Sequence, residues 1–104
     1  MKTQAFDPAD YLNDEQGIVA YLSDALETND PAFIADALGV VARSRGMTRI
    51  AGDTGLSRES LYRALSPSGN PELATVLRVI QALGLQLSVA PRGAIPAPPR
   101  SSPQ

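Results

Sequence analysis

The stretch MTRIAGDTGLSRESLYRAL, residues 47–65, decides the fold of this 104-residue chain. It divides into two short helical segments, residues 47–54 and 57–65, which meet at a turn around Gly55. Ala51 lies four residues before this glycine. Two short helices that cross closely need a small residue at the crossing and a glycine that can adopt a positive φ at the turn. The spacing therefore predicts a helix-turn-helix, in which the second helix enters the major groove of DNA.

The second segment has one apolar side and one polar side. Leu61 and Leu65 define the side that faces the core. An exposed arginine suits the bidentate geometry of guanine, a glutamate can accept from cytosine, and a tyrosine can reach a phosphate or a thymine methyl group. An i,i+4 surface pair with Arg63 is an equal alternative for Glu59, and an ordinary N-cap is an alternative for Thr48. The predicted DNA-binding residues are Thr48, Arg49, Ser57, Arg58, Glu59, Tyr62 and Arg63.

Helix start signals place further helices around this motif. Asp30 and Asn70 each precede a proline, which is favoured at the first helical position, and Asn13 with Gln16 resembles a capping box. The helix after Asp30 is expected to end at Gly46, and its wide apolar surface predicts packing on two sides. A short helical turn is expected at residues 8–12. The apolar stripe predicted for the helix after Asn70 consists of Leu73, Val76, Leu77, Ile80 and Leu83.

The chain therefore reads as an all-α, five-helix domain with a short C-terminal β-strand and a disordered Pro-rich tail. Residues 85–89 alternate apolar and polar side chains, which is typical of a half-buried strand. Five of the last fifteen residues are proline, and no periodicity is present there. The predicted organisation is an acidic helical segment (1–30), a helix-turn-helix domain (31–84), a strand (85–90) and a tail (91–104).

Missing residue types exclude several classes of function. The chain has no Cys and no His, and its single lysine is Lys2. Thiolate and imidazole chemistry, disulfides and Cys- or His-ligated metal sites are therefore excluded, and we predict neither an enzyme nor a cofactor or metal site. The longest proline-free apolar run, residues 37–42, is far shorter than the roughly 20 residues of a membrane span. A cytoplasmic protein without a membrane partner is expected.

The net charge of −2 conceals a division along the chain. Residues 1–36 contain one lysine and eight acids, a net charge of −7, whereas residues 37–104 contain eight arginines and three acids, a net charge of +5. A low overall pI would argue against nucleic-acid binding, but the arginines gather around the predicted helix-turn-helix. A solvated surface without a partner is the alternative interpretation of these charges.

Longer stretches of the sequence resemble a known family, the probable addiction-module antidote proteins, over about residues 5–90. The resemblance implies a HigA-type antitoxin with a helix-turn-helix like those of Cro and lambda repressor. Such a protein binds a small RelE/ParE-type toxin and represses their shared operon. The matching stretches are ALGVVARSRGMTRIA (37–51), TGLSRESLYRALS (54–66), GNP (69–71), VLRVIQALGL (76–85), the Phe6-Asp7 pair and the helix over residues 18–26.

A basic toxin would be attracted to the acidic N-terminal part of the chain. An acidic face kept for solubility is the alternative. Two other functions remain open, a stand-alone repressor without a toxin and a helical adaptor that binds only protein. The candidate toxin-binding residues are Phe6, Asp10, Tyr11, Asp24, Glu27 and Asp36.

The predicted strand has no second strand within the chain. A lone strand leaves its backbone groups unpaired, so the same strand of a second subunit is the expected partner. Leu85, Leu87 and Val89 are therefore predicted to form a homodimer contact. Pairing with a strand of the toxin is the alternative.

Overall fold

A computed structural model describes residues 14–92, and five helices follow one another in that part of the chain. The all-α prediction is confirmed for these residues. None of the helices found there is both long enough and apolar enough to cross a membrane. The helices are α1 (Glu15–Glu27), α2 (Pro31–Arg45), α3 (Met47–Thr54), α4 (Arg58–Ala64) and α5 (Leu73–Ala82).

Local capping explains where the first two helices begin. The Asp30 carboxylate accepts hydrogen bonds from the backbone N–H groups of Ala32 and Phe33 at 3.0 and 3.5 Å, and α2 starts at the following proline as predicted. The cap predicted for α1 is wrong by one residue. Asp14, not Asn13, precedes α1, and its carboxylate accepts from the Gly17 N–H at 2.7 Å. An ionised carboxylate is the stronger acceptor and is favoured by the helix dipole.

The start predicted for α5 at Asn70 is also wrong. The helix begins at Leu73 after Glu72, whose side chain makes no capping hydrogen bond. The preceding turn explains the delay, because Gly69 lies directly against the backbone carbonyl groups at the end of α4. Residues 70–72 connect this contact to the first turn of α5.

Helix α2 lies at the centre of the fold. It packs against α1 on one side and against α3 and α4 on the other, and α3 in turn packs against α5. The two-sided packing predicted for this helix is therefore confirmed. Burial of aliphatic side chains supplies the main stabilisation, because aromatic residues are few. The largest fully buried side chains are Ile18, Leu38, Val41, Ile50, Leu61, Leu65 and Val79.

The predicted stripe of α5 is partly wrong. Ile80 and Leu83 are buried and Val76 packs against the core, but Leu73 is 67% exposed and Leu77 is 38% exposed. Val79, which the predicted stripe did not include, is fully buried in the core. Among the helices, α5 makes its main contacts with α3. The side of α5 turned from α3 therefore keeps apolar residues that no other helix covers.

The predicted strand is not observed. Residues 85–90 have no regular secondary structure, and a strand needs a neighbour that the described part of this single chain does not offer. The segment is nevertheless anchored at its start. Leu85 donates its backbone N–H to the Ile80 carbonyl oxygen at 3.0 Å and packs partly buried against the core.

Gly39 in α2 allows a close backbone contact between α2 and the end of α4. A Cβ atom at this position would collide with the backbone carbonyl oxygen of Leu65, the residue that follows α4. A backbone atom cannot rotate away as the end of a flexible side chain can. The distance between the two helices therefore depends on the missing side chain.

We predict that Gly39→Ala lowers the free energy of unfolding by about 1–3 kcal/mol, because the added methyl group forces α2 and the end of α4 apart. Gly52→Ala is the matched control. Gly52 is an exposed glycine within α3, and nothing lies within 4 Å of a Cβ built there. That substitution should raise stability by about 0.5–1 kcal/mol through helix propensity. Urea unfolding measures both, and equal stabilities of the two variants would contradict the close contact.

Candidate nucleic-acid interface

The turn between α3 and α4 is built around one carbonyl group. The backbone N–H groups of Gly55 and Leu56 donate to the Ala51 carbonyl oxygen at 2.9 and 3.2 Å, and the Thr54 hydroxyl donates to it at 3.2 Å. The same hydroxyl accepts from the Leu56 N–H at 3.3 Å. Gly55 adopts a left-handed conformation with φ 78°, and Ala51 is only 8% exposed. Both features agree with the sequence prediction of a glycine turn and a small residue at the crossing.

Helix α4 is held at both ends. At its start, the Ser57 hydroxyl oxygen accepts from the Ser60 N–H at 3.0 Å, which confirms Ser57 as the N-cap. Leu61 and Leu65 are fully buried and fix one side of the helix in the core. At its end, the backbone lies against Gly39 of α2 and Gly69 of the following turn. The orientation of α4 is therefore set by backbone contacts as well as by side-chain packing.

The seven predicted DNA-binding residues are all exposed. Two of them, Thr48 and Arg49, lie in the first turn of α3, and the other five lie at the start or on the outer side of α4. Helices α3 and α4 pack against each other, so the two groups of side chains lie on neighbouring helices. The N-cap alternative for Thr48 is wrong. Gly46 precedes α3, and no side chain caps the helix there.

The arginines of this surface differ in their side-chain contacts. The Arg58 guanidinium lies 5.5 Å from the centre of the Tyr62 ring and donates to the Tyr62 hydroxyl at 3.4 Å. Arg49 and Asp53 approach to 3.9 Å, but both side chains are more than half exposed, so the pair adds little stability. Within residues 14–92 this is the only ion pair. The Glu59–Arg63 pair proposed as an alternative is therefore not formed in this structure.

Charge is divided between two parts of the described chain. Residues 14–42 contain six acids and no basic residue, whereas residues 43–92 contain seven arginines and three acids. The positive part includes the whole α3–turn–α4 unit and offers guanidinium donors to an anionic partner such as a phosphate backbone. Among the described residues, no group of three or more acids is arranged to hold a metal ion.

The predicted toxin-binding acids are in different surroundings. Asp24 and Glu27 are exposed on α1, whereas Asp36 is partly buried on α2. Burial, and then the Asp36 carboxylate, raise the pKa of the Tyr21 hydroxyl, while Arg43 acts in the opposite direction. Asp36 thus lies close enough to Tyr21 for its carboxylate to act on the tyrosine hydroxyl within the same chain. Three further candidates, Phe6, Asp10 and Tyr11, lie outside the described residues.

The predicted dimer contacts differ in exposure. Leu85 is partly buried, Leu87 is 36% exposed and Val89 is 98% exposed. Leu87 and Val89 are therefore available to a partner, while Leu85 already contacts the core of its own chain.

Sequence reasoning assigned no role to Arg78 of α5. This side chain lies with Asp53, Thr54 and Gln81 along a polar depression between the end of α3 and α5. Its place on the polar side of α5 follows from helical periodicity, but its neighbours come from a helix more than twenty residues earlier in the chain. No local signal could have identified them.

Comparisons with known proteins find relatives of the chain. The family described as "Probable addiction module antidote protein" matches residues 2–91, which include all five helices. An uncharacterized protein of Haemophilus influenzae is 49% identical over 84 residues, which make up 81% of this chain and 87% of that relative. No solved structure matches the chain.

Proposed function

The chain belongs to the family of probable addiction module antidote proteins, and from this premise we propose that it is an antitoxin which also represses its own operon. Family membership is the observation that carries the proposal, because an antidote implies a toxin partner and a regulatory rather than an enzymatic role. The proposed toxin is of the RelE/ParE type. The proposed repressor element is the α3–turn–α4 unit, acting as a helix-turn-helix on operator DNA in the cytoplasm.

The geometry of α4 supports DNA binding. Ser57 fixes the start of the helix, and the buried Leu61 turns the opposite side outward. Arg58 and Arg63 then project from an exposed helix that fits the major groove, where arginine pairs with guanine. We assign Arg49, at the exposed first turn of α3, to a phosphate contact.

We predict that Arg63→Ala weakens binding to the protein's own promoter by about 1–3 kcal/mol and relaxes sequence preference at one position, since it removes a base contact. Arg49→Ala should weaken all DNA alike and lower the salt slope by about one, since it removes a phosphate contact. Electrophoretic shifts at two salt concentrations measure both effects.

Arg78→Ala serves as the control for these changes, because it removes the same charge from α5 at the opposite end of α3. It should leave the ratio of specific to non-specific affinity unchanged. Wild-type operator affinity in a chain that carries both Arg58→Ala and Arg63→Ala would refute the assignment of α4 to the major groove.

The antitoxin part of the proposal draws on the acidic surface of α1. Asp24 and Glu27 are exposed, and neither forms an ion pair within residues 14–92. Neither is needed to begin or end a helix, since Asp14 and Asp30 cap α1 and α2. Unpaired acids of this kind steer a basic partner toward the surface and speed its association.

We predict that reversal of Asp24 and Glu27 to lysine makes the chain less able to rescue cells that express the toxin. The toxin used in this assay is the product of the reading frame adjacent to the gene for this chain. The neutral pair Asp24→Asn and Glu27→Gln should have an intermediate effect, because the cause is charge. Operator binding should be unchanged in both. Deleting residues 1–12 tests Phe6, Asp10 and Tyr11 in the same growth assay. Full rescue by all these variants would place the toxin contacts elsewhere.

A homodimer is the assembly that we propose for operator binding. The segment after α5 leaves Val89 98% exposed, and pairing with the same segment of a second copy would cover it. The two-fold contact would also satisfy backbone groups that have no partner in one chain. Such a dimer presents two α4 helices about one DNA turn, roughly 34–36 Å, apart.

Val89→Lys is predicted to lower the dimer fraction and the operator affinity together, because it places a charge at the two-fold contact. The side chain is 98% exposed in the single chain, so the fold itself should not change. Gln86→Lys places the same charge in the same segment at an exposed position outside the predicted apolar contacts, and it should leave both properties as in the wild type. Sedimentation at micromolar concentration measures assembly, and a monomeric wild-type protein would contradict the dimer.

A further inference from the structure

A narrow apolar crevice with a volume of about 10 Å³ lies between α1 and α5, with α2 as its floor. All of its lining side chains are apolar, and they come from these three helices and from the segment after α5. None of them belongs to the α3–turn–α4 unit. We call this surface the α1–α5 groove. Its lining residues are Leu22, Leu26, Ile34, Leu38, Val76, Ile80 and Leu87.

Exposed apolar side chains extend the groove along α1. Val19, Leu22 and Leu26 recur at helical spacing, which places them on one side of α1. Val19 is 45% exposed and Leu26 is 38% exposed, whereas Leu22 between them is buried. This wall of the groove therefore combines a buried base with an uncovered apolar rim.

The opposite wall has the same character. On α5, Leu73 and Leu77 lie at helical spacing before the buried Ile80, and they are 67% and 38% exposed. A small monomeric protein rarely leaves facing rows of large aliphatic side chains uncovered unless they bind something. The crevice itself is too small to admit a helix, so a partner would lay its apolar face across the two exposed rows that border it.

The part of the chain that supplies one wall and the floor of the groove carries only negative charges. All six charged residues of positions 14–42 are acidic. Glu27 at the end of α1 and Glu72 just before α5 are both exposed. The single charge within α5, Arg78, lies instead beside Asp53 on the α3 side. An apolar surface built mainly from residues 14–42, whose charges are all acidic, fits an apolar helix face that is flanked by lysine or arginine.

We propose that the α1–α5 groove receives a basic amphipathic helix of the toxin. This assignment rests on the antitoxin function proposed above and names the surface that performs it. A second copy of the chain fits the groove less well. Its residues 14–42 are acidic, and its arginines lie in the part of the chain that includes the proposed DNA-binding surface.

Single substitutions at the rim of α5 test the groove in the full-length chain. Leu73→Lys removes an exposed apolar contact and adds a positive charge, whereas Leu73→Glu removes the same contact but keeps the edge acidic. Ala74→Lys is the matched control, because Ala74 is exposed one residue further along α5 on another side of the helix. The probe is the purified product of the adjacent reading frame, titrated against each variant.

We expect Leu73→Lys to raise the dissociation constant for this probe by about tenfold or more. Leu73→Glu should raise it by a smaller factor, and Ala74→Lys should stay within about twofold of the wild type. Operator affinity should be the same for all three variants. Equal toxin affinities for Leu73→Lys and Ala74→Lys would overturn the groove assignment while leaving the antitoxin function intact.

Two further outcomes are distinct from that one. If the wild-type chain neither binds the probe nor rescues growth, the antitoxin function fails, and the groove assignment fails with it. If Leu73→Lys turns a dimer into a monomer in sedimentation and toxin affinity is unchanged, the groove binds a second copy of this chain and the proposal is wrong.

Discussion

The contact between Gly39 of α2 and the Leu65 carbonyl group is the constraint on which the rest of the structure depends. It brings the backbone of the central helix against the end of α4 without an intervening side chain. Gly69 makes a similar contact with α4 from the following turn. Because both neighbours are backbone, small side-chain movements cannot absorb an added methyl group. The outer side of α4 is therefore presented at an angle that α2 and the turn set together.

Helix α2 also lies between α1 and the α3–turn–α4 unit, which carry different charges. On one side it packs against the acidic α1, and on the other it packs against α3 and α4, where arginines are exposed. The acids of α1 and α2 favour a basic toxin, whereas the arginines of the α3–turn–α4 unit outnumber its two acids, Asp53 and Glu59, and favour DNA phosphates. An overall charge near zero is therefore compatible with two strongly charged partners of opposite sign.

Several features that depend on neighbours along the chain could be predicted from the sequence, although the cap of α1 is Asp14 rather than Asn13. Asp30, Ser57 and Gly55 occupy their expected places, because a cap or a tight turn is decided within a few residues. Features that depend on distant packing could not. The start of α5 moved past Asn70 because Gly69 is held against α4, and Leu73 is exposed because no other helix covers that side of α5. Periodicity indicated an apolar stripe but not how much of it the chain would bury.

Apolar packing and backbone caps, rather than ion pairs, stabilise the described domain. The ion pair between Arg49 and Asp53, the only one within residues 14–92, is exposed and long, and such pairs contribute about 0–1 kcal/mol. Stability instead comes from the aliphatic core around α2 and from carboxylate and hydroxyl caps. Most of the exposed charges on α1 and α4 thus carry no structural task and can be substituted without disturbing the fold. Selection on these charges would then act through the partners they attract rather than through the stability of the chain.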